Sequence, residues 1–155
     1  MKISYKGDYA IKSLVYLSYL YIEARRNEQY TQLSDLASRL DIPVKFLEQI
    51  LLILKNAGYI RTLRGKHGGY SISKDPAQIK LGEIIRLIDG PTSPIACVSC
   101  SAYKYCDFEE KCVLKPVWQQ VRDATNSIVD KVTFAQLAEN EKEIIMGRQA
   151  LTYII

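Results

Sequence analysis

Residues 43–73 read PVKFLEQILLILKNAGYIRTLRGKHGGYSIS. Val44, Phe46, Leu47, Ile50, Leu51, Leu54 and Ala57 recur at helical spacing and form one apolar stripe. Pro43 suits the first turn of that helix, where its missing N–H costs nothing, with Asp41 or Ile42 just outside as the boundary. Gly58 is placed to end the helix in a left-handed cap. Two short runs with β-favouring residues follow, Tyr59–Leu63 and Tyr70–Ser73, joined by Arg64-Gly65-Lys66-His67-Gly68-Gly69. The three glycines of that joint permit a tight turn, which predicts a β-hairpin. Between Gln49 and Lys74 there are five basic residues, Lys55, Arg61, Arg64, Lys66 and Lys74, and no acid.

Upstream, Tyr9 to Ala24 is apolar on more than one side and reads as a core helix. A polar break at Arg25–Gln29 leads to Gln32–Leu40, where Leu33, Leu36, Ala37 and Leu40 keep helical spacing. Three helices followed by a basic hairpin predict a mainly α chain with a small β-hairpin. This is the winged helix-turn-helix, whose third helix enters the major groove of double-stranded DNA while the wing touches the flanking groove or phosphates.

The positions near the start of the third helix and off its stripe are Lys45, Glu48 and Gln49. Lys45 can donate to guanine, Glu48 can accept from the cytosine amino group, and Gln49 can pair bidentately with adenine. Glu48 is the most informative of these, since an acid beside phosphates costs affinity; its plain alternative is an exposed helix residue paired with a lysine. Arg64 is the candidate for minor-groove insertion, with Arg61 and Lys66 on phosphates and Lys55 adding to the basic surface. His67 reads as a solvated loop residue.

The chain has 155 residues, 48% hydrophobic and 25% charged, enough to bury a core. Its net charge of +4 is unevenly spread: residues 1–80 hold 13 Lys and Arg against 7 Asp and Glu, and residues 81–155 hold 8 against 10. The first half therefore suits a polyanion, although a surface charged for solubility is the alternative. Its long apolar stretch Ile11–Ile22 is interrupted by Lys12, Ser13 and Ser18, so no membrane span is expected. Met1–Ala10 lacks the order of a secretory signal, and the expected location is cytoplasmic.

After residue 80, Leu81, Ile84, Ile85 and Leu87 mark a short helix that Gly90 and Pro91 end. Periodicity then stops, and Pro91–Lys111 reads as a loop held by something other than a core. It carries Cys97-x2-Cys100-x5-Cys106, followed by x5-Cys112. In a reducing compartment four thiols within 16 residues point to metal or cluster chemistry, because soft thiolates select zinc, copper(I) or iron–sulfur centres. Structural zinc ranks second, since only Cys97 and Cys100 have the tight-turn spacing. A thiol oxidoreductase would need its Cys pair at a helix start in a βαβ setting, which is missing here, and ordinary reduced thiols would leave the clustering unexplained.

Pro116 can open a long helix in which Val117, Val121, Ala124, Ile128 and Val132 form a narrow stripe, with Trp118 beside them. Such a stripe predicts a homodimer seam, which matches the reading of palindromic DNA by a symmetric dimer. Thr133 and Gln136 have capping-box spacing and open a short helix, Phe134–Glu139; the tail Ile144–Ile155 is apolar enough to pack. The expected organisation is a DNA-binding domain at 1–80, a short helix and Cys-rich loop at 81–112, and a dimerisation helix with tail at 113–155.

Four stretches carry a resemblance: Lys6-Gly7-Asp8-Tyr9-Ala10, Phe46-Leu47-Glu48-Gln49-Ile50, the wing from Arg64-Gly65 to Gly68-Gly69-Tyr70, and Cys100-x5-Cys106-x5-Cys112. In order and over nearly the whole chain, they resemble the IscR/NsrR-type family of transcription regulators. The resemblance implies a dimeric, non-enzymatic winged-helix regulator that holds a two-iron or four-iron sulfur cluster through Cys100, Cys106 and Cys112, and whose cluster state alters promoter binding. It also implies base reading by Glu48 and Gln49 and a wing role for Arg64. For the fourth ligand, IscR-like members have a histidine where this chain has Lys115, a protonated group that should not ligate iron. NsrR-like members take an N-terminal carboxylate from the other subunit, the position of Asp8 here; Asp8 otherwise reads as a helix N-terminal acid. Cys97 is the rival fourth ligand.

Overall fold

A computed structural model describes residues 2–26 and 29–147 of the chain. Six helices and one hairpin follow in order: α1 Tyr5–Glu23, α2 Leu33–Leu40, α3 Val44–Asn56, β1 Ile60–Leu63, β2 Gly69–Ile72, α4 Leu81–Asp89, α5 Lys115–Val129 and α6 Phe134–Ile145. The winged-helix order expected from the sequence is present.

Helix α1 begins four residues before the expected Tyr9. Ser4 is its N-cap, with Oγ accepting from the Gly7 N–H at 3.0 Å, and that bond supplies the extra turn. The turn between α2 and α3 is Asp41-Ile42-Pro43. Asp41 sits in the left-handed region at φ 52°, which a short polar side chain tolerates, and Ile42 is buried. Pro43 is the N-cap of α3 rather than its first helical residue, and Gly58 follows the helix at φ 77° as the expected left-handed cap. Leu47, Ile50, Leu51 and Leu54 bury one face of α3, each contributing roughly 1.5–3 kcal/mol. Phe46 packs edge-on to Tyr9 of α1, with ring centroids 5.7 Å apart.

The strands pair antiparallel, Ile60 opposite Ile72 and Leu63 opposite Gly69. Thr31 extends the hairpin through paired backbone bonds with Tyr70, at 3.0 and 2.8 Å, and Gln32 Nε2 donates to the Lys66 carbonyl at 3.1 Å. These bonds fix the wing against the start of α2.

The capping box at Thr133 and Gln136 is formed, but α6 runs to Ile145 and not Glu139. Its Phe134 belongs to the same buried cluster as Ala10, Leu14 and Leu54, and α6 packs extensively on α1. Ion pairs Lys142–Glu23 at 2.9 Å and Arg39–Glu141 at 3.4 Å tie its second half to α1 and α2. The helix continues because tertiary partners wait beyond Glu139. Ile144 and Ile145 thus belong to α6, whereas residues 148–155 of the expected tail lie outside the described residues. Among the described residues, no helix is long and apolar enough to cross a membrane.

Candidate DNA interface and thiol loop

Helix α3 and the wing enclose one groove. Lys45, Glu48, Gln49 and Lys55 line it from the helix, and Thr62 and Tyr70 from the hairpin. Four of the seven residues singled out as DNA contacts are therefore brought together. Arg64 and Lys66 lie exposed in the turn between the strands, and Arg61 is half-buried on β1. The exposed turn also carries His67, as expected of a solvated loop residue.

Sequence reasoning missed Leu52, Thr62 and Tyr70, which share the groove. Leu52 is 55% exposed although it lies amid the apolar run of α3, and its place off the Leu47–Leu51–Leu54 face was the available signal. Burial raises the pKa of the Tyr70 hydroxyl, and the Glu48 carboxylate raises it further, so Tyr70 stays a neutral donor beside that acid. The groove thus offers an ammonium, a carboxylate, an amide, hydroxyls and an apolar contact, the mixture that reads base edges in a major groove.

The second site is the loop between α4 and α5. Sequence reasoning expected something other than a core to hold it, and hydrogen bonds to α5 supply much of that constraint. Arg122 Nη1 donates to the Val98 carbonyl at 2.7 Å, and Thr92 Oγ1 donates to Asn126 Oδ1 at 2.6 Å. Val98, Ser99 and Thr92 are buried there.

All four cysteines are free thiols; Cys100 is exposed and Cys97, Cys106 and Cys112 are half-buried. Three of them lie beside one of two cations. Cys97 and Cys112 lie in the field of Lys115, and Cys100 in that of Arg122. Lys115 Nζ donates to Glu109 Oε1 at 2.6 Å, and Tyr103 Oη donates to Glu109 Oε2 at 2.7 Å. The hydrogen bond to Glu109 raises the Lys115 pKa above the usual lysine value, and the same carboxylate pushes Tyr103 up to about 12. Lys115 is thus firmly protonated and holds no lone pair for a metal. Asp8 sits in the first turn of α1, paired with Lys12 at 2.7 Å.

The donor chemistry of this loop fits an iron–sulfur group, since soft cysteine sulfurs are the ligands that such groups take. Among the described residues, no three His, Cys, Asp or Glu side chains are gathered as a metal-binding group. Holding a cluster would require Cys100, Cys106 and Cys112 to converge.

Comparison with known proteins gives these sites a family. The Rrf2 family, described as iron-dependent transcriptional regulators, matches residues 3–140. An Rrf2-like HTH-type transcriptional regulator of Rhodobacter capsulatus is 37% identical over 139 residues, covering 87% of this chain and 91% of that one. The HTH-type transcriptional regulator CymR of Bacillus subtilis is 31% identical over 94% of this chain and 98% of its own. The solved structure of that protein, described as the global cysteine regulator, superposes with a TM-score of 0.74, covering 90% of this chain and 98% of that chain. The structure of T. potens IscR, 27% identical, covers 99% of this chain and 96% of its own, with a TM-score of 0.69. The resemblance read from the wing, the third helix and the cysteine spacing holds at the level of the family, and the relatives are regulators, not enzymes. The chain belongs to the Rrf2 family of winged-helix transcriptional regulators.

Proposed function

We propose that this regulator works in the cytoplasm as a homodimer, reads its operator with α3 and the wing, and senses its signal through the thiols of the loop after α4. The observation that carries the reading is the docking of that loop by Arg122 and Asn126 onto α5, the helix whose Val117, Val121 and Ile128 are 49%, 42% and 61% exposed. A change at the thiols acts on the helix that forms the dimer seam. The seam in turn sets the spacing of the two DNA-reading heads.

Cys100, Cys106 and Cys112 would hold an iron–sulfur cluster of two or four irons, with Asp8 of the second subunit or Cys97 as fourth ligand. When bound, such a cluster supplies one-electron redox chemistry and reactivity toward small oxidants, including nitric oxide. The chain's own part is to set Lys115 and Arg122 beside the thiols and to couple the loop to α5.

A second reading, a cofactor-free thiol switch, is favoured by the same two cations beside free thiols. It also suits the kinship with a protein described as a cysteine regulator. Iron, sulfide and zinc content with visible absorption on anaerobically purified protein separates these readings. Stoichiometric iron and sulfide, lost or altered in Cys97→Ala or Asp8→Ala, supports the cluster and nominates its fourth ligand. Zinc without sulfide makes the site structural, and no metal after anaerobic reconstitution leaves the thiol switch.

A further inference from the structure

A cavity of about 220 Å³ lies between α4, the start of the thiol loop and α5, and neither DNA reading nor the dimer seam uses it. Its lining includes Arg86, Thr92, Ser99, Arg122, Asn126 and Asp130. The volume falls below the ≈ 300–1,000 Å³ of pockets for drug-sized ligands and suits a smaller molecule.

The lining has a surplus of donors. Thr92 spends its hydroxyl hydrogen on Asn126 Oδ1, and among the described residues no hydrogen bond takes up the Asn126 amide N–H groups. Ser99 Oγ accepts from the Ala102 N–H at 3.0 Å and keeps its own hydrogen to give. Arg122 donates from Nε to Asp123 at 2.7 Å and from Nη1 to Val98, so its Nη2 hydrogens are uncommitted.

Charge points the same way. Two guanidinium groups, Arg86 and Arg122, share the lining with one carboxylate, Asp130, which Arg86 already engages at 2.5 Å. Asp123, the carboxylate beside Arg122, is not part of the lining, and its side chain is 63% exposed against 18% for Arg122. Arg122 is paired through Nε with Asp123, and its remaining donors, beside the amide and hydroxyl of Asn126 and Ser99, call for an acceptor-only group. A planar carboxylate matches the guanidinium fork.

We propose that this cavity binds a small organic carboxylate, held by Arg122, Asn126 and Ser99. The ligand is shared between the loop and α5, so its occupancy holds the loop down and shields Cys100, which is also part of the lining. This site stands apart from the cluster reading, because none of its three donor side chains is a thiol.

The test uses the reduced full chain with pyruvate, lactate and succinate as probes and inorganic phosphate as the competing anion, followed by calorimetry, thermal melting and the rate of Cys100 alkylation by iodoacetamide. At least one carboxylate should bind saturably, raise Tm logarithmically with its concentration above Kd and slow alkylation. Asn126→Asp keeps the acceptor for Thr92 but adds a negative charge, and Ser101→Asp adds one at an exposed residue of the same lining. Each should weaken binding by about tenfold or more. Cys106→Ala, a thiol outside the lining, should leave carboxylate binding close to wild type even where it removes iron. The proposal is overturned by phosphate binding alone, by no binding of any of the three carboxylates, by unchanged affinity in both charge variants, or by loss of binding in Cys106→Ala.

Discussion

Gly7 lies against the carboxylate of Asp89, so closely that a Cβ at position 7 would overlap Asp89 Oδ2. The same carboxylate accepts from the Ser4 N–H at 3.1 Å and from the Ser4 hydroxyl. The start of α1 and the end of α4 are thus joined through a group that only a glycine lets approach. Because α1 also packs on α3 and α6, this contact links the element before the thiol loop to the DNA-reading half.

Gly7→Ala should destabilise the protein by about 2–5 kcal/mol. Alanine gains roughly 1 kcal/mol of helix propensity, but the displaced carboxylate forfeits two hydrogen bonds to Ser4, worth about 1.5–3 kcal/mol each for a charged acceptor. Urea denaturation of a double-mutant cycle checks it. In an Asp89→Ala background the Gly7→Ala change should be neutral or stabilising, and an equal loss in both backgrounds would place the strain elsewhere.

The Lys142–Glu23 pair between α6 and α1 gives a pH signature. The hydrogen bond to Glu23 raises the Lys142 pKa above its ordinary 10.5. A raised lysine pKa contributes stability fully below the unfolded value, and that stability is lost as pH rises through the folded one. Tm should therefore fall from about pH 10.5 upward, and Lys142→Met should flatten that part of the profile. An identical alkaline profile in the variant would show that the pair does not contribute. The side chains are 34% and 38% exposed, so the effect should shrink in high salt.

Much of this architecture was legible because periodicity and stop signals agreed. The stripe of α3, Gly58 behind it and the glycine-rich wing needed no tertiary information. The length of α6 did need it, since Glu139–Glu143 is charged and is carried by ion pairs to Glu23 and Arg39, more than a hundred residues away in sequence. The early start of α1 rests on Ser4 capping the Gly7 N–H, a local bond that the apolar stripe does not reveal, while Asp89 holds Ser4 from a distant part of the sequence. At the groove, spacing found Lys45, Glu48 and Gln49 because they lie off the apolar stripe. Tyr70 was missed because a strand aromatic is ordinarily core, and only the crossing of wing and helix places it beside Glu48. The thiol loop showed its cysteines but not its anchors, since Thr92, Arg122 and Asn126 carry no periodic signal.

The groove and the wing should separate in their salt dependence. Arg64→Ala and Lys66→Ala, in the exposed turn, should weaken binding on every sequence and lower the salt slope by about 1 each. Glu48→Ala and Gln49→Ala should leave the slope intact and cost roughly 1–3 kcal/mol on the preferred base alone. Fluorescence anisotropy over a salt series, on duplexes selected from a random library, distinguishes the two. A uniform loss for Glu48→Ala would return it to an ordinary surface acid.

Helix α5 has one buried residue, Val129, while Val117, Val121 and Ile128 are exposed on a 15-residue helix. Among the described residues this stripe is exposed and outside the buried core, so the fold of the DNA-reading half should survive Val121→Glu. Light scattering on the eluting protein should then show the wild type at twice the chain mass and the variant at a single mass, with unchanged helix content. Operator affinity should fall steeply, because one head retains only its own half-site. Leu52→Glu, in the groove, is the contrasting variant: it should spare the mass and reduce binding directly. A monomeric wild type, or a dimeric Val121→Glu, would move the seam away from α5. The coupling of the thiol loop to the spacing of the heads would then need another route.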